Sequence, residues 1–195
     1  MKRYDKAYFD RWYRHSHIGR QDTEFIRKRA RQAVAMVEIH LGRRIETVID
    51  IGAGEGRWQP HLLEVRPDID YLGVDSSKYA IAAFGAERNI IHGKFEDLHD
   101  FYPQTFDLVI CSDVLHYLTE EQIRTGIDGL VSMVGGVAYL WSATDDEIVL
   151  YGDTEGFTQR SIALYEQWFF EAGLQPLRTS AGEMPWFYVP QFSRM

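Results

Sequence analysis

From Thr47 onward the sequence alternates short apolar runs with longer amphipathic stretches, and this alternation restricts the fold more than any other feature. The runs are TVIDI (47–51), YLGVD (71–75), NIIH (89–92), FDLVICS (106–112) and GGVAYLWS (135–142). Segments with helical patterning lie between them, near 57–66, 77–86, 119–133 and 158–172. Strand, helix and strand in repeated order predict a parallel sheet covered by helices on both faces, an α/β fold. Strands buried on both faces should be continuous apolar runs, and these are. The tail adds two further strands near 174–180 and 184–190. A turn at Ala181-Gly182 would join them as an antiparallel hairpin at the sheet edge.

Ahead of this pattern lie two predicted helices, at 5–18 and 22–41. Asp22 would cap the second, and Gly42 follows its end. Phe25, Ile26, Ala30, Ala33, Val34, Val37 and Leu41 recur there at helical spacing. Residues 1–44 hold 12 of the 21 Lys/Arg and only 5 of the 29 Asp/Glu, so the remaining chain is strongly acidic. That acidic bulk argues against a nucleic-acid partner. The basic segment is either a solvated helix face or a seat for an anion. The single cysteine, Cys111, excludes an intrachain disulfide. No apolar run is long enough for a bilayer, and the first residues lack the apolar stretch of a signal peptide. The expectation is one soluble cytoplasmic domain over 1–195, with a helical cap (1–44) and an α/β core (45–195).

The first core run ends in Asp50-Ile51-Gly52-Ala53-Gly54-Glu55-Gly56. Glycines at a strand end allow a sharp turn and a close backbone approach to a ligand. The helix that follows offers free N–H groups at its start. The second run ends in Gly73-Val74-Asp75, where a carboxylate can accept hydrogen bonds from both hydroxyls of a ribose. The alternative for Asp75 is a helix cap, a part that Ser76 or Ser77 could also play.

Taken together, VIDIGAGEG, GVD, HGKFEDL and FDLVICSDVLHYL resemble the class I S-adenosylmethionine (SAM)-dependent methyltransferases, over roughly residues 45–142. The resemblance implies a Rossmann-like, seven-stranded, mostly parallel sheet, SAM as cofactor and a small-molecule methyl acceptor. It also implies positions for the cofactor. Asp50, Gly52, Ala53 and Gly54 would lie beside the methionine part. Asp75 would hold the ribose with Ser76 adjacent, and Phe95 and Glu96 would lie near the adenine. Lys94 stands where the family often has an acid. Cys111 either lines the cleft or is a small buried apolar residue.

The acceptor side is less determined. His116 is either a base or orienting group near the methyl, or a packed, hydrogen-bonded histidine. Asp113 is a helix cap or an acceptor contact. Tyr8, Trp12 and Tyr13 either pack the first helix or hold the acceptor or a sulfonium by their ring faces. Arg160 would meet the acidic loop at Asp145, Asp146 and Glu147, or an anion. No metal site is expected, because His15 and His17 have no matched carboxylates. Two rival classes share part of the pattern: an NAD-type Rossmann oxidoreductase and a SAM-binding regulatory protein without catalysis.

Overall fold

The computed structural model describes residues 2–14, 17–101, 104–144, 153–180 and 182–191. Seven strands form one sheet in the order β3-β2-β1-β4-β5-β7-β6. They are β1 (Thr47–Ile51), β2 (Asp70–Asp75), β3 (Ile90–His92), β4 (Phe106–Ser112), β5 (Val134–Trp141), β6 (Leu174–Thr179) and β7 (Gly182–Pro190). The first five pair in parallel, and β7 runs antiparallel to both β5 and β6. The closing hairpin is therefore inserted with its second strand inward, against β5, and its first strand at the edge.

Two apolar layers hold the sheet. On one face Ala30, Ala33, Val34 and Val37 of α2 (His17–Leu41) pack with Trp58 and Leu62 of α3 (Trp58–Val65). They meet Val48, Leu108, Ile110, Val137 and Tyr139 of the sheet. On the other face α5 (Glu120–Ser132) and α6 (Ile162–Glu171) cover Ile49, Ile51, Val109, Cys111 and Leu140. Alternate residues of β1 and β4 serve opposite faces, as the two-residue strand period requires. The remaining helix, α4 (Lys78–Arg88), packs on β2 and β3. Among the described residues no helix is long and apolar enough to cross a membrane.

The N-terminal segment departs from the sequence expectation. A short helix α1 (Lys6–Phe9) passes into a π turn at Asp10–Arg14. The long helix begins at His17, so Asp22 lies within it and does not cap it. Polar residues extend a helix at little cost once a packed apolar stripe nucleates it, which leaves the start of the stripe a poor guide to the start of the helix. Helix α2 is a layer of the core. Residues 2–14 lie across the carboxyl ends of the strands.

Candidate functional site

The loop after β1 carries three glycines with positive φ: 75° at Gly52, 57° at Gly54 and 71° at Gly56. Such angles are open to glycine at small cost and strained for other residues. Space is tight as well. A Cβ at Gly52 would lie 2.2 Å from Val114 Cγ2. The Gly52 and Ala53 amides both donate to the Val74 carbonyl, at 2.8 and 3.1 Å, tying the loop to β2.

Asp75 closes the same crevice. Its Oδ2 accepts from the Gly54 amide and its Oδ1 from the Ser77 amide, both at 2.7 Å. The cap of α4 is Ser77, whose hydroxyl accepts from the Ala80 amide. Asp75 is thus not the helix cap. A carboxylate has about four acceptor positions, so each oxygen retains a lone pair for a further donor. Burial raises the Asp75 pKa, while the two amide bonds oppose the shift. Ser76 is exposed beside it.

Asp50 takes a different position from Asp75. It is 2% exposed, and its Oδ2 accepts from the Tyr71 hydroxyl at 2.8 Å. Burial lifts its pKa to about 7, against the Tyr71 bond and with help from the Asp75 charge. Phe95 is also buried. It lies in a 3-10 turn (Phe95–Asp100) packed so closely on α5 that a Cβ at Gly126 would meet the Phe95 carbonyl oxygen at 2.0 Å. The Glu96 carboxylate accepts from Gln122 Nε2 at 3.2 Å and lies 3.9 Å from Lys94 Nζ. Cys111 is fully buried in the apolar layer, and burial pushes its thiol pKa upward.

After β4 the chain turns at Asp113, which has φ 63° and is exposed. It caps neither the 3-10 turn at Leu115–Tyr117 nor α5, whose cap is Thr119. His116 on that turn is 2% exposed, and its Nδ1 accepts from the Ala143 amide at 3.3 Å. A neutral imidazole with Nδ1 so engaged carries its proton on Nε2. That nitrogen lies 3.9 Å from Asp113 Oδ1. Burial first, then the Lys2 charge, lowers the His116 pKa to about 4. Arg160 braces this turn from beneath. It donates to the Leu115 and Leu118 carbonyls at 3.2 and 2.7 Å, a role the sequence did not signal.

Residues 2–14 form the roof. Tyr13 lies over the loop, with its hydroxyl 3.3 Å from where a Gly54 Cβ would be and Phe9 at 3.5 Å. Arg14 pairs with Glu55 at 2.6 Å, and the Tyr4 carbonyl accepts from the Ser77 hydroxyl at 2.5 Å. Tyr8 packs edge-on to Tyr4 and Phe9. Trp12 is half-buried with the Arg11 guanidinium 4.9 Å from its ring. The Lys2 ammonium pairs with Asp153, joining the roof to the segment after β5. The structure therefore brings Gly52, Gly54, Asp75, Asp113, Tyr8 and Tyr13 to one end of the sheet, and buries Asp50, Phe95 and Cys111. His15, Asp145, Asp146 and Glu147 lie outside the described residues. Among the described residues no three His, Cys, Asp or Glu side chains are grouped to hold a metal ion.

Residues 49–135 match the methyltransferase domain family. The fold is shared with solved methyltransferases. Magnesium protoporphyrin IX methyltransferase from Synechocystis PCC 6803, solved with bound S-adenosylhomocysteine, aligns with a TM-score of 0.67 at 18% identity. The alignment covers 95% of this chain and 92% of that one. A SAM-dependent methyltransferase from Archaeoglobus fulgidus aligns at 0.66 and 16% identity, covering 87% and 73%. An O-methyltransferase family protein from Burkholderia thailandensis aligns at 0.55 and 17%, covering 93% of this chain and 62% of that one. No curated protein matches the sequence. The matched family model covers less than half of the chain, and the likeness to these solved structures is one of fold.

Proposed function

We propose that this protein transfers the methyl group of SAM to an oxygen or nitrogen of a small molecule, by in-line displacement. The observation that carries the reading is the Asp75 carboxylate. It is anchored to the Gly54 amide at the carboxyl ends of β1 and β2, with acceptor capacity left for two ribose hydroxyls. Gly52, Ala53 and Gly54 would hold the methionine part through backbone groups, with Ser76 beside the ribose and Glu96 on the adenine side. Asp50 would position the loop through its bond to Tyr71, and Phe95 and Cys111 would shape the pocket wall by packing. SAM, when bound, supplies a methyl group already activated on sulfur.

The residues of this chain then have two tasks. They align the acceptor with the methyl, and they exclude water; alignment of this kind lowers a barrier by on the order of 7–11 kcal/mol. His116, neutral and with Nδ1 engaged, would orient the acceptor through its Nε2–H rather than remove a proton. Asp113, Tyr8, Trp12 and Tyr13 would contact the acceptor. Because Tyr13 and Phe9 lie against Gly54, residues 2–14 must shift to admit a ligand at the loop. The Synechocystis relative acts on a small molecule, a magnesium porphyrin, which supports an acceptor of that size class.

Calorimetry with SAM, S-adenosylhomocysteine and NAD, followed by a labelled-methyl acceptor screen, tests the reading. Binding of both adenosyl compounds without NAD, and label in a small molecule, is expected. Affinity for NAD alone would overturn it.

A further inference from the structure

Three tyrosines and a carboxylate surround one ammonium group in the roof. Lys2 Nζ lies 3.6 Å from the Tyr117 ring centre, 5.3 Å from Tyr4 and 5.2 Å from Tyr8. It pairs with Asp153, and the two side chains are only 10% and 8% exposed. The Tyr117 hydroxyl donates to the Asp153 carbonyl at 2.9 Å, and the Glu155 amide donates to Asp153 Oδ1 at 3.2 Å. Aromatic faces attract a desolvated cation through the ring quadrupole, and a carboxylate completes the seat.

Position and charge both connect this cage to the crevice. Tyr117 follows His116, and their rings are 4.2 Å apart. Tyr8 leads to Tyr13, which covers Gly54. The surrounding field is anionic: Asp75, Asp153 and Glu155 bear on Tyr4, and Asp113 and Asp153 bear on Tyr117. Lys2 is the cation seated within that field. It rides on the segment that must shift when a ligand reaches the loop, whereas Tyr117 and Asp153 belong to the body. Movement of the roof would leave a ring face and a buried carboxylate without their cation, a costly state for the carboxylate.

We infer that the Tyr117 ring and the Asp153 carboxylate, vacated by Lys2 when residues 2–14 shift, form a cation-recognition site for the methyl acceptor, and that Lys2 is its tethered stand-in. The acceptor is then a small molecule bearing an amine or quaternary ammonium, whose charged nitrogen replaces Lys2. The inference rests on the methyltransferase reading and narrows it to one substrate class.

The test uses the full chain with choline and its neutral carbon isostere, 3,3-dimethylbutan-1-ol, titrated by NMR. Lys2→Gln removes only the tethered cation. It should bind choline at least tenfold more tightly than the natural chain does, and at least tenfold more tightly than it binds the isostere. Adding Asp153→Asn or Tyr117→Leu should abolish that preference. A folded Lys2→Gln chain that binds neither probe, or both equally, would overturn the inference. So would a cage that serves the sulfonium of the cofactor. In that case Asp153→Asn would weaken SAM relative to S-adenosylhomocysteine and leave choline binding unchanged. Failure of the natural chain to bind SAM would strike the methyltransferase reading, while the choline titration judges the cage by itself.

Discussion

The loop side of the crevice and the roof above it are built by different means. Gly54 meets Asp75 across 21 residues, through a backbone amide set by two adjacent parallel strands. The roof reaches the same end of the sheet by side-chain contacts over longer separations, such as Ser77 to Tyr4, 73 residues apart. One half is fixed by strand register. The other is held by one ion pair to the segment after β5, a few rings and Arg14–Glu55. A crevice of this kind can keep its geometry while its cover opens, since a few side-chain contacts yield before a sheet ladder does.

If that contrast is right, the largest effect should come from the register-fixed half. Asp75→Ala should weaken SAM binding by at least about 100-fold, as expected for loss of two charge-assisted hydrogen bonds of about 1.5–3 kcal/mol each. Circular dichroism should show the fold retained. Normal affinity in a folded variant would reduce Asp75 to a strut for the loop. Next comes the brace under the His116 turn. Arg160→Met leaves the buried Leu115 carbonyl and the half-buried Leu118 carbonyl without their donor and should cost about 2 kcal/mol of stability. Turnover should fall about tenfold while SAM affinity holds, read by calorimetry beside a rate assay. His116→Ala should lower turnover several-fold with SAM affinity nearly unchanged, and full activity would confine His116 to packing.

The smallest effect concerns two buried groups whose pKa values move in opposite directions. His116 falls to about 4 from 6.5. Its contribution to stability is therefore complete above about pH 6.5 and lost as pH falls to about 4. Asp50 rises to about 7 from 3.8, so its contribution is complete below about pH 4 and lost as pH rises to about 7. Melting temperatures between pH 4 and 8 should show Asp50→Asn removing the loss on the neutral side, and His116→Gln removing the loss on the acid side. An unchanged profile in both variants would mean that neither group titrates in the folded state as its burial implies.

The same contrast explains what the sequence made legible. Strand β1 occupies the residues of its apolar run, and the glycine loop and Asp75 meet as spacing suggested, because a βαβ unit fixes both by local order. Asp50 and Asp75 look equivalent in sequence, each an acid at a strand end. Alternation along β1 sends Asp50 inward to Tyr71, a partner no local pattern names. Arg160 suggested an anion or the acidic loop, and instead serves carbonyls on a turn more than 40 residues away. Lys2 gave no signal at all, because its surroundings are assembled from segments far apart in the chain.

The placement of β7 between β5 and β6 bears on how the domain is assembled. The last strand among the described residues is an interior one, so this sheet is not completed in the order of its strands along the chain. Until residues 182–190 slot in, β5 presents an open edge and β6 has no neighbour in the sheet. Exposed edges of this kind template pairing between chains. Loss of this short stretch would remove an interior stave rather than a fringe, and a chain lacking it would expose the β5 edge to pairing with other chains.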